Sequence, residues 1–406
     1  MSENSKIEWT DATWNPITGC SVLSPGCKRC YAMGLAGTRL RNHPSRKGLT
    51  EESNAGPVWN GKVRFNGEWL LQPLAWSRPR MIFVCAHGDL FHESVPDNWI
   101  DQVFAVMALA PRHTFQVLTK RAQRMREYLT DDDVGERIAL AAHKLWAAKL
   151  APGAKGYLSI EVLRDAFGLK HVSETLQSWP LLNVWLGVSA ERQQEASERI
   201  PYLLATPAAV RFVSLEPLLG PIDLGALHPG GAQTLDALSG LSVNPAYSGW
   251  SRLDWVIVGG ESGDGARPMH PAWPTSIERQ CTDAGVAFHF KQWGAWVPVC
   301  ATNDAFIDTL YHPAPKRDPD ASRRCNVDQL VMHADGSQHR GFGAGVYAAG
   351  AEAMLMFEVG KKRAGRLLGG REHNGMPGAR GMPPLLQGEL SDQQLTNCHH
   401  QPEGER

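Results

Sequence analysis

LDWVIVGGESG, residues 253 to 263, decides the fold class of this chain. Its apolar run, WVIV, does not alternate with polar residues and stops abruptly at Gly-Gly-Glu-Ser. Strands that are buried on both faces of a parallel sheet read as continuous apolar runs of this kind. The stretch therefore predicts a buried strand that ends in a polar, glycine-rich loop.

Five further stretches have the same form, a short apolar run that ends in a polar cluster. They are RMIFVCAHGD (80 to 89), HTFQVLTKR (113 to 121), NVWLGVSAE (183 to 191), AVRFVSLEP (209 to 217) and VAFHFKQWG (286 to 294). Helix-like segments separate most of them, such as residues 96 to 111 and 191 to 206. This alternation predicts an α/β fold, a partial or full (β/α) barrel of about six parallel strands, with one more strand beside a cysteine-rich loop. A doubly wound open sheet is an alternative, because spacing does not give the order of strands.

The chain is expected to contain one large domain with additions. Residues 1–298 are predicted to form the barrel, with a helical insertion at about 130–180 and a loop insertion at about 226–250. Residues 299–377 are predicted to be a C-terminal extension that packs on the barrel, and 378–406 a disordered tail.

Composition places the protein in the class of globular chains. Of its 406 residues 43% are hydrophobic, the formal net charge is -1, and no apolar run is long enough to cross a bilayer. The polar N-terminus shows no signal peptide, so a cytoplasmic location without a membrane partner is expected. Thiols stay reduced in that compartment, and clustered cysteines are then expected to be metal or cluster ligands rather than disulfides.

The stretch TGCSVLSPGCKRCYA, residues 18 to 32, brings Cys20, Cys27 and Cys30 together with the spacing C-x6-C-x2-C. Three thiolates can hold a [4Fe-4S] cluster and leave one iron open to a small molecule. A structural zinc site would need a fourth ligand, for which His43, Cys85 and His87 are the nearest candidates. Spacing alone leaves the cluster, zinc and free thiols open.

The residues around the cysteines carry a local positive charge. No Asp or Glu occurs from Ala12 to Thr50, where the cations are Lys28, Arg29, Arg39, Arg41, Arg46 and Lys47. This segment is either a solvated basic surface or the contact region for an anionic partner such as a phosphate backbone.

Ten motifs, in chain order, carry a resemblance to a known family. They are WTDATWNPITGC, SPGCKRCYA, GDLFHESVP, TKR, WLGVSAE, SLEPLLGPIDL, WVIVGGESG, ARPM, FHFKQWG and VGKKRAGRLLGG. As a set they resemble a phage and bacterial three-cysteine-motif family of unknown function, from about residue 5 to 377. That family is distantly similar to radical S-adenosylmethionine enzymes, with spore photoproduct lyase as the nearest well-described analogue. The resemblance implies a partial (β/α) barrel that binds a [4Fe-4S] cluster and S-adenosylmethionine.

The resemblance also implies roles for particular residues. Cys20, Cys27 and Cys30 become the cluster ligands, although the common radical enzymes use the shorter spacing C-x3-C-x2-C. Candidates for binding S-adenosylmethionine are Ser189, Glu191, Ser214, Glu216, Gly259, Gly260 and Glu261. Gly259, Gly260 and Glu261 resemble the Gly-Gly-Glu stretch that contacts the methionyl amine, but here they follow a late strand. The carboxylates among these candidates could instead cap the helices that follow them.

Other residues at strand ends have two interpretations each. Lys120, Arg121 and Lys291 are expected either to hold an anionic substrate or to form a solvated rim. Cys85 is expected either to donate a hydrogen atom to a product radical or to be a small core residue. Asp89, with His87 and His92, is expected either to form an acid/base group or to cap the helix that begins near Pro96, and the cap is the favoured interpretation for Asp89.

The sequence thus predicts a radical S-adenosylmethionine lyase or transferase that modifies or repairs a nucleic acid or nucleotide and receives electrons from a donor. One alternative is a zinc-binding protein that binds nucleic acid without radical catalysis. A third class, a hydrolase, would need a carboxylate metal site from Asp89, Glu191, Glu216 and Glu261.

Overall fold

The computed structural model describes Ser5 and residues 7–145, 179–230, 234–241, 251–313, 324–347 and 352–378. Within these ranges seven parallel strands form the main sheet, and their order in space is their order in the chain. They are β1 (Ala12–Trp14), β2 (Met81–Val84), β3 (Thr114–Thr119), β4 (Val184–Ser189), β5 (Val210–Leu215), β6 (Trp255–Gly259) and β7 (Ala287–Gln292).

This sheet curls into a half-barrel with β1 and β7 at its two edges. The predicted α/β fold is therefore confirmed, in its partial-barrel form and with the additional strand beside the cysteine loop. A doubly wound sheet would reverse the strand order at a switch point, and the sequential order shows no reversal.

Continuous apolar sequence explains the central strands. Every residue of β4 and of β6 is buried, since one face meets the helices and the other lines the inside of the curled sheet. The longer helices are α1 (Tyr31–Gly37), α2 (Asp97–Leu109), α3 (Ala122–Leu129), α4 (Val134–Leu145), α5 (Gln193–Leu204) and α6 (Ala272–Ala284). Helices α2, α5 and α6 each lie between consecutive parallel strands, as βα units require, and the C-terminal half of α2 is buried on all sides.

A small irregular region lies between β1 and β2 and carries the cysteines. Two short antiparallel pairs shape it, Ile17–Thr18 with Arg64–Phe65 and Thr50–Ser53 with Gly56–Trp59. Single-turn helices at Pro25–Cys27, Gly67–Trp69 and Gln72–Ala75 complete it.

A second, antiparallel sheet follows the half-barrel. Its strands are β8 (Trp296–Pro298), β9 (Gln329–Met332), β10 (Gln338–His339) and β11 (Met354–Glu358), in the order β8-β11-β9-β10. Short helices lie at Val299–Ala301, Asp304–Asp308, Ala344–Tyr347 and Lys361–Ala364. The first strand of this sheet begins at Trp296, three residues before the predicted boundary at 299.

The last described residues return to the main sheet. The backbone of Phe290 in β7 donates to His373 O at 2.9 Å, and that of Gly375 donates to Phe288 O at 2.9 Å. Because an uncovered edge strand can pair with another chain, this C-terminal strap protects the β7 edge.

Parts of four predicted segments fall outside the described residues. Helix α4 lies in the predicted insertion of about 130–180, but 146–178 are outside the described ranges. The same holds for 231–233 and 242–250 of the predicted loop, 314–323 and 348–351 of the predicted extension, and 379–406 of the predicted tail. In the part of the chain that the structure describes, no helix is both long and apolar enough to span a bilayer.

Candidate functional site at the carboxyl ends of the strands

The cysteine loop, residues 18 to 32, lies across the carboxyl edge of the half-barrel. Gly19 donates its backbone N–H to His87 O, just beyond β2, at 3.2 Å. Ser24 Oγ donates to Glu191 Oε1, beyond β4, at 2.8 Å. Arg29 Nη1 donates to Asp264 O, beyond β6, at 2.6 Å. The loop therefore bridges the ends of three strands, which is where reacting groups lie in α/β barrels.

The three thiols act electrostatically on one ammonium group, that of Lys120. Burial lowers the pKa of Lys120, and the thiolates of Cys27, Cys30 and Cys20 oppose that shift. Burial also acts against ionisation of Cys27, but Lys120 and hydrogen bonds from Leu23 and Ser24 outweigh it and lower the pKa of this thiol. The amino group of Lys120 is thus a built-in countercharge for thiolates.

Cys20 has a different environment. Burial and the nearby Asp89 carboxylate raise the pKa of its thiol to about 12, while Arg121 acts in the opposite direction. Arg121 Nη1 donates to Cys20 Sγ at 3.4 Å. This thiol therefore needs a metal or a stronger positive charge to become a thiolate near neutral pH.

Glu191 forms the centre of a buried ionic cluster below the loop. It is fully buried, and its Oε1 accepts from the Lys120 ammonium and from Ser24. Its Oε2 accepts from Arg199 Nη1 of α5 at 3.4 Å, and the same nitrogen donates to Ser189 O at 2.7 Å. Glu191 thus joins β3, β4, α5 and the cysteine loop.

Gly26 allows this approach. A Cβ atom at residue 26 would overlap the carboxylate of Glu191. Only a glycine lets the backbone of the cysteine loop pass over the buried charge.

Glu261 is the second ionic anchor of the loop. Arg267 binds its carboxylate in a bidentate manner, Nε to Oε2 at 2.9 Å and Nη2 to Oε1 at 2.5 Å, and also donates to Pro25 O at 3.0 Å. Arg29, between Cys27 and Cys30, lies 3.8 Å from Glu261 Oε2. A ligand amine could reach this carboxylate only by sharing it with Arg267.

Two further strand-end residues, Glu216 and Lys291, form an ion pair. Ser214 Oγ donates to Glu216 Oε2 at 3.0 Å, and Lys291 Nζ lies 2.8 Å from Glu216 Oε1. Gly259 faces this carboxylate, and a Cβ at Gly260 would overlap Trp293 O. The side chains of Glu216 and Lys291 are 14% and 18% exposed, which leaves this pair accessible to a ligand at the carboxyl edge.

Asp89 does not cap a helix, contrary to the expectation from sequence. Helix α2 begins at Asp97 without a side-chain cap. Asp89 Oδ1 instead accepts from Thr119 Oγ1 at 2.7 Å and from the Phe91 backbone at 3.0 Å, while Oδ2 accepts from Arg121. Eight residues separate Asp89 from the start of α2, and its turn directs the carboxylate towards the end of β3.

Cys85 follows β2 and packs into the main hydrophobic core. It is 3% exposed, and burial raises the pKa of its thiol to about 12. Its backbone has a φ of 56° and begins the turn that follows β2, which the Gly88 N–H closes by donating to Cys85 O. The Cys85 side chain thus packs among the residues of the main hydrophobic core.

The sequence did not single out several residues that build the site. Ser24 and Arg267 connect the cysteine loop to the strand ends, and Arg199 holds Glu191 beneath the loop. Arg267 lies in the quoted ARPM motif, which was a usable signal, whereas Arg199 lies in the middle of an amphipathic helix and carried none.

A cavity of about 620 Å³ opens beside the loop, between α3 and α5. Its wall includes Leu23, Lys120, Arg199 and Tyr202. Its wall is strongly charged, because carboxylates such as Glu195 and Glu198 lie there together with the cations.

The donor set of the loop fits an iron–sulfur cluster. Its three thiols come with a charged N–H donor to Cys20, a hydroxyl 3.8 Å from Cys27 Sγ, and the Lys120 countercharge, and hydrogen bonds to ligand sulfurs tune such clusters. Within the described ranges, no three His, Cys, Asp or Glu side chains form a group that could hold a single metal ion.

Fold and site together define an α/β half-barrel protein with a three-cysteine loop across the carboxyl ends of its strands. The chain belongs to the family described as "Protein of unknown function (DUF5131)", whose family model matches residues 4–377. No curated protein and no solved structure matches the chain.

Proposed function

We propose that this protein is a radical S-adenosylmethionine enzyme that acts on a nucleic acid or nucleotide, in a reducing cytoplasmic compartment. The observation that carries the proposal is the placement of the cysteine loop. A loop that contains three thiols and no fourth cysteine of its own is fixed over the strand ends of a curled parallel sheet, where reacting groups lie in α/β barrels.

Cys20, Cys27 and Cys30 would hold the cluster. Such a cluster, when it is reduced by an electron donor, supplies the chemistry that cleaves bound S-adenosylmethionine reductively and yields a carbon radical. Lys120 offsets the negative charge that three thiolates bring, and the Glu191 cluster keeps its ammonium in place.

Glu216 with Lys291 would bind the polar end of the small molecule. This pair offers a carboxylate acceptor and an ammonium donor side by side, the complements of an amino and a carboxylate group. Ser214 orients the carboxylate through its hydroxyl.

The anionic substrate would contact the basic segment near the loop. Lys120, Arg121 and Lys291 are engaged in ion pairs with Glu191, Asp89 and Glu216. The exposed cations of this segment are Lys28, Arg29, Arg39, Arg41 and Lys47, of which Arg29 and Arg41 lie close to the carboxylates of Glu261 and Glu52. Phosphate contacts by such groups make binding weaker as salt concentration rises, which a titration with single- and double-stranded DNA and RNA at several salt concentrations would measure.

The decisive experiment is anaerobic purification and reconstitution, followed by absorbance and electron paramagnetic resonance spectra and analysis of iron, sulfide and zinc. We expect about four irons and four sulfides per chain. Adding S-adenosylmethionine and a reductant should release 5′-deoxyadenosine. Cys27→Ser should abolish both iron loading and this cleavage.

Cys300→Ser is the matched control, because Cys300 is an exposed thiol of the C-terminal part, remote in sequence from the loop. It should load iron as the unchanged protein does. A colourless protein that takes up one zinc at Cys20, Cys27 and Cys30 after the same treatment would refute the radical mechanism and favour the zinc-binding alternative.

A further inference from the structure

Arg121 contacts the cysteine loop at two successive residues. Its side chain follows β3 and is 4% exposed. Nη1 donates to Cys20 Sγ at 3.4 Å, and Nη2 donates to Ser21 Oγ at 2.6 Å. The guanidinium thus holds both the thiol and the residue after it, and no open side of the group is left for an anionic substrate.

Asp89 holds Arg121 in this orientation. Its Oδ2 accepts from Arg121 Nη1 at 3.2 Å, and its Oδ1 accepts from Thr119 Oγ1 and the Phe91 backbone. The exposed Glu93 adds one contact, Arg121 Nε to Glu93 Oε1 at 3.2 Å. The pair therefore joins the ends of β2 and β3 to the first cysteine.

We propose that Arg121, fixed by Asp89, is a positioning residue that aims the Cys20 sulfur at the bound metal and donates an N–H to that sulfur. The inference rests on the proposed function in one respect, that Cys20 is a metal ligand. Under this proposal Arg121 acts on the cysteine loop and not as one of the substrate-binding residues that the sequence predicted.

The planar guanidinium is suited to this role because its donors diverge at fixed angles. One can reach a sulfur while a second holds the neighbouring hydroxyl and others bind carboxylates. A lysine has a single point of attachment, so it can keep the charge but not this set of contacts. Groups that hold a metal ligand from outside typically affect metal affinity by about 10- to 100-fold.

The test uses the full chain in three forms. Removing Arg121 alone would leave Asp89 buried and unpaired, which strongly destabilises proteins. The paired replacement Asp89→Asn with Arg121→Gln removes both charges together, and Arg121→Lys keeps the charge without the fork. Arg137→Lys is the control, since Arg137 pairs with Asp101 and Asp131 and has no recorded contact with a cysteine.

The first measurement is the binding of Cd²⁺ to metal-free protein, followed by sulfur-to-metal charge-transfer absorbance. We expect the paired replacement to bind Cd²⁺ at least about tenfold more weakly than the unchanged chain, Arg121→Lys to lie between them, and Arg137→Lys to match the unchanged chain. The second measurement is the midpoint potential of reconstituted protein by a redox titration. Loss of a cationic N–H donor to sulfur should make the cluster harder to reduce, shifting the potential to more negative values.

Equal Cd²⁺ affinity and equal potential in the paired replacement and the unchanged chain would overturn the inference while leaving the proposed function standing. A chain that binds Cd²⁺ with the expected ranking but never assembles a cluster would refute the proposed function and retain the role of Arg121. If the unchanged chain neither bound Cd²⁺ through its thiols nor assembled a cluster, both would fail.

Discussion

Gly26 and Gly34 lie eight residues apart in the same region and have opposite surroundings. A Cβ at Gly26 would overlap the Glu191 carboxylate, whereas one at Gly34 in α1 would meet nothing within 4 Å. The tight contact exists because Glu191 is drawn under the loop by Ser24, Lys120 and Arg199. One added carbon atom at residue 26 would therefore collide with Glu191 in the present position of the loop.

We expect Gly26→Ala to lower the free energy of unfolding of metal-free protein by about 1–3 kcal/mol, as overpacking in tight sites does, and to reduce iron loading. Gly34→Ala should leave stability unchanged or raise it, since alanine favours helices. Urea unfolding of both variants checks this. Equal loss of stability in the two would show that the contact with Glu191 does not constrain the loop.

His113 provides a prediction on pH. It is fully buried, with Nε2 donating to Pro73 O at 2.9 Å, and burial lowers its pKa to about 4 despite that hydrogen bond. In the unfolded chain His113 takes up a proton near pH 6.5, whereas in the folded chain it stays neutral until about pH 4. The free energy of unfolding is therefore unaffected by His113 above pH 6.5. It falls by about 3 kcal/mol as the pH is lowered towards 4, at about 1.4 kcal/mol per pKa unit.

His113→Gln retains a donor for Pro73 O but cannot titrate. Its stability should therefore fall less than that of the unchanged chain between pH 7 and pH 4.5, when both are measured by urea unfolding. Parallel pH profiles for the two proteins would contradict the assignment.

At the scale of elements, the strap at residues 373–375 completes the main sheet. It bonds to the backbone of Phe288 and Phe290 in β7, and Trp255 Nε1 of β6 donates to Gly375 O at 2.8 Å. Two strands of the half-barrel thus depend on a segment more than 80 residues further along the chain.

A chain ending at Gly370 should unfold several degrees lower than a chain ending at Gly378, and it should aggregate more readily on heating. The shorter chain loses these hydrogen bonds and exposes the β7 edge to pairing with another molecule. Thermal unfolding and light scattering of the two chains test this. Identical melting and scattering would mean that the strap does not stabilise the sheet.

At the scale of the whole molecule, the residues of the site come from distant parts of the sequence. Its parts are the cysteine loop, Lys120 after β3, Glu191 after β4 and Glu261 after β6, separated by up to about 240 residues and brought together by the parallel order of the strands. Metal binding at the loop is therefore coupled to folding of the half-barrel.

We accordingly expect protein with its metal centre to unfold at a higher urea concentration than metal-free protein, because a ligand that binds only the folded state stabilises it. The colour of the centre and the far-UV circular dichroism should be lost in one transition. Loss of colour well before loss of secondary structure would show instead that the loop opens independently of the sheet. Cys300→Ser should behave as the unchanged protein does.

Much of this architecture could be predicted from the sequence. The apolar runs at 113 to 121 and 253 to 263 became β3 and β6, and the segment at 96 to 111 became α2, because burial on both faces or on one face leaves a direct trace in the residue pattern. The C-terminal antiparallel sheet left a weaker trace, since its strands are short and β10 is exposed.

By itself the sequence determined the α/β class, the three-cysteine loop and the polar residues at the strand ends, since these follow from local patterns of residue type. Only the tertiary structure decided the sequential half-barrel and the partners of each charged side chain. In the structure Arg121 donates to Cys20, Lys120 pairs with Glu191, and Asp89 accepts from Arg121 instead of capping α2. A charge in a buried site pairs with whatever opposite charge the fold brings within reach, and that reach is set by the curvature of the sheet rather than by distance along the chain.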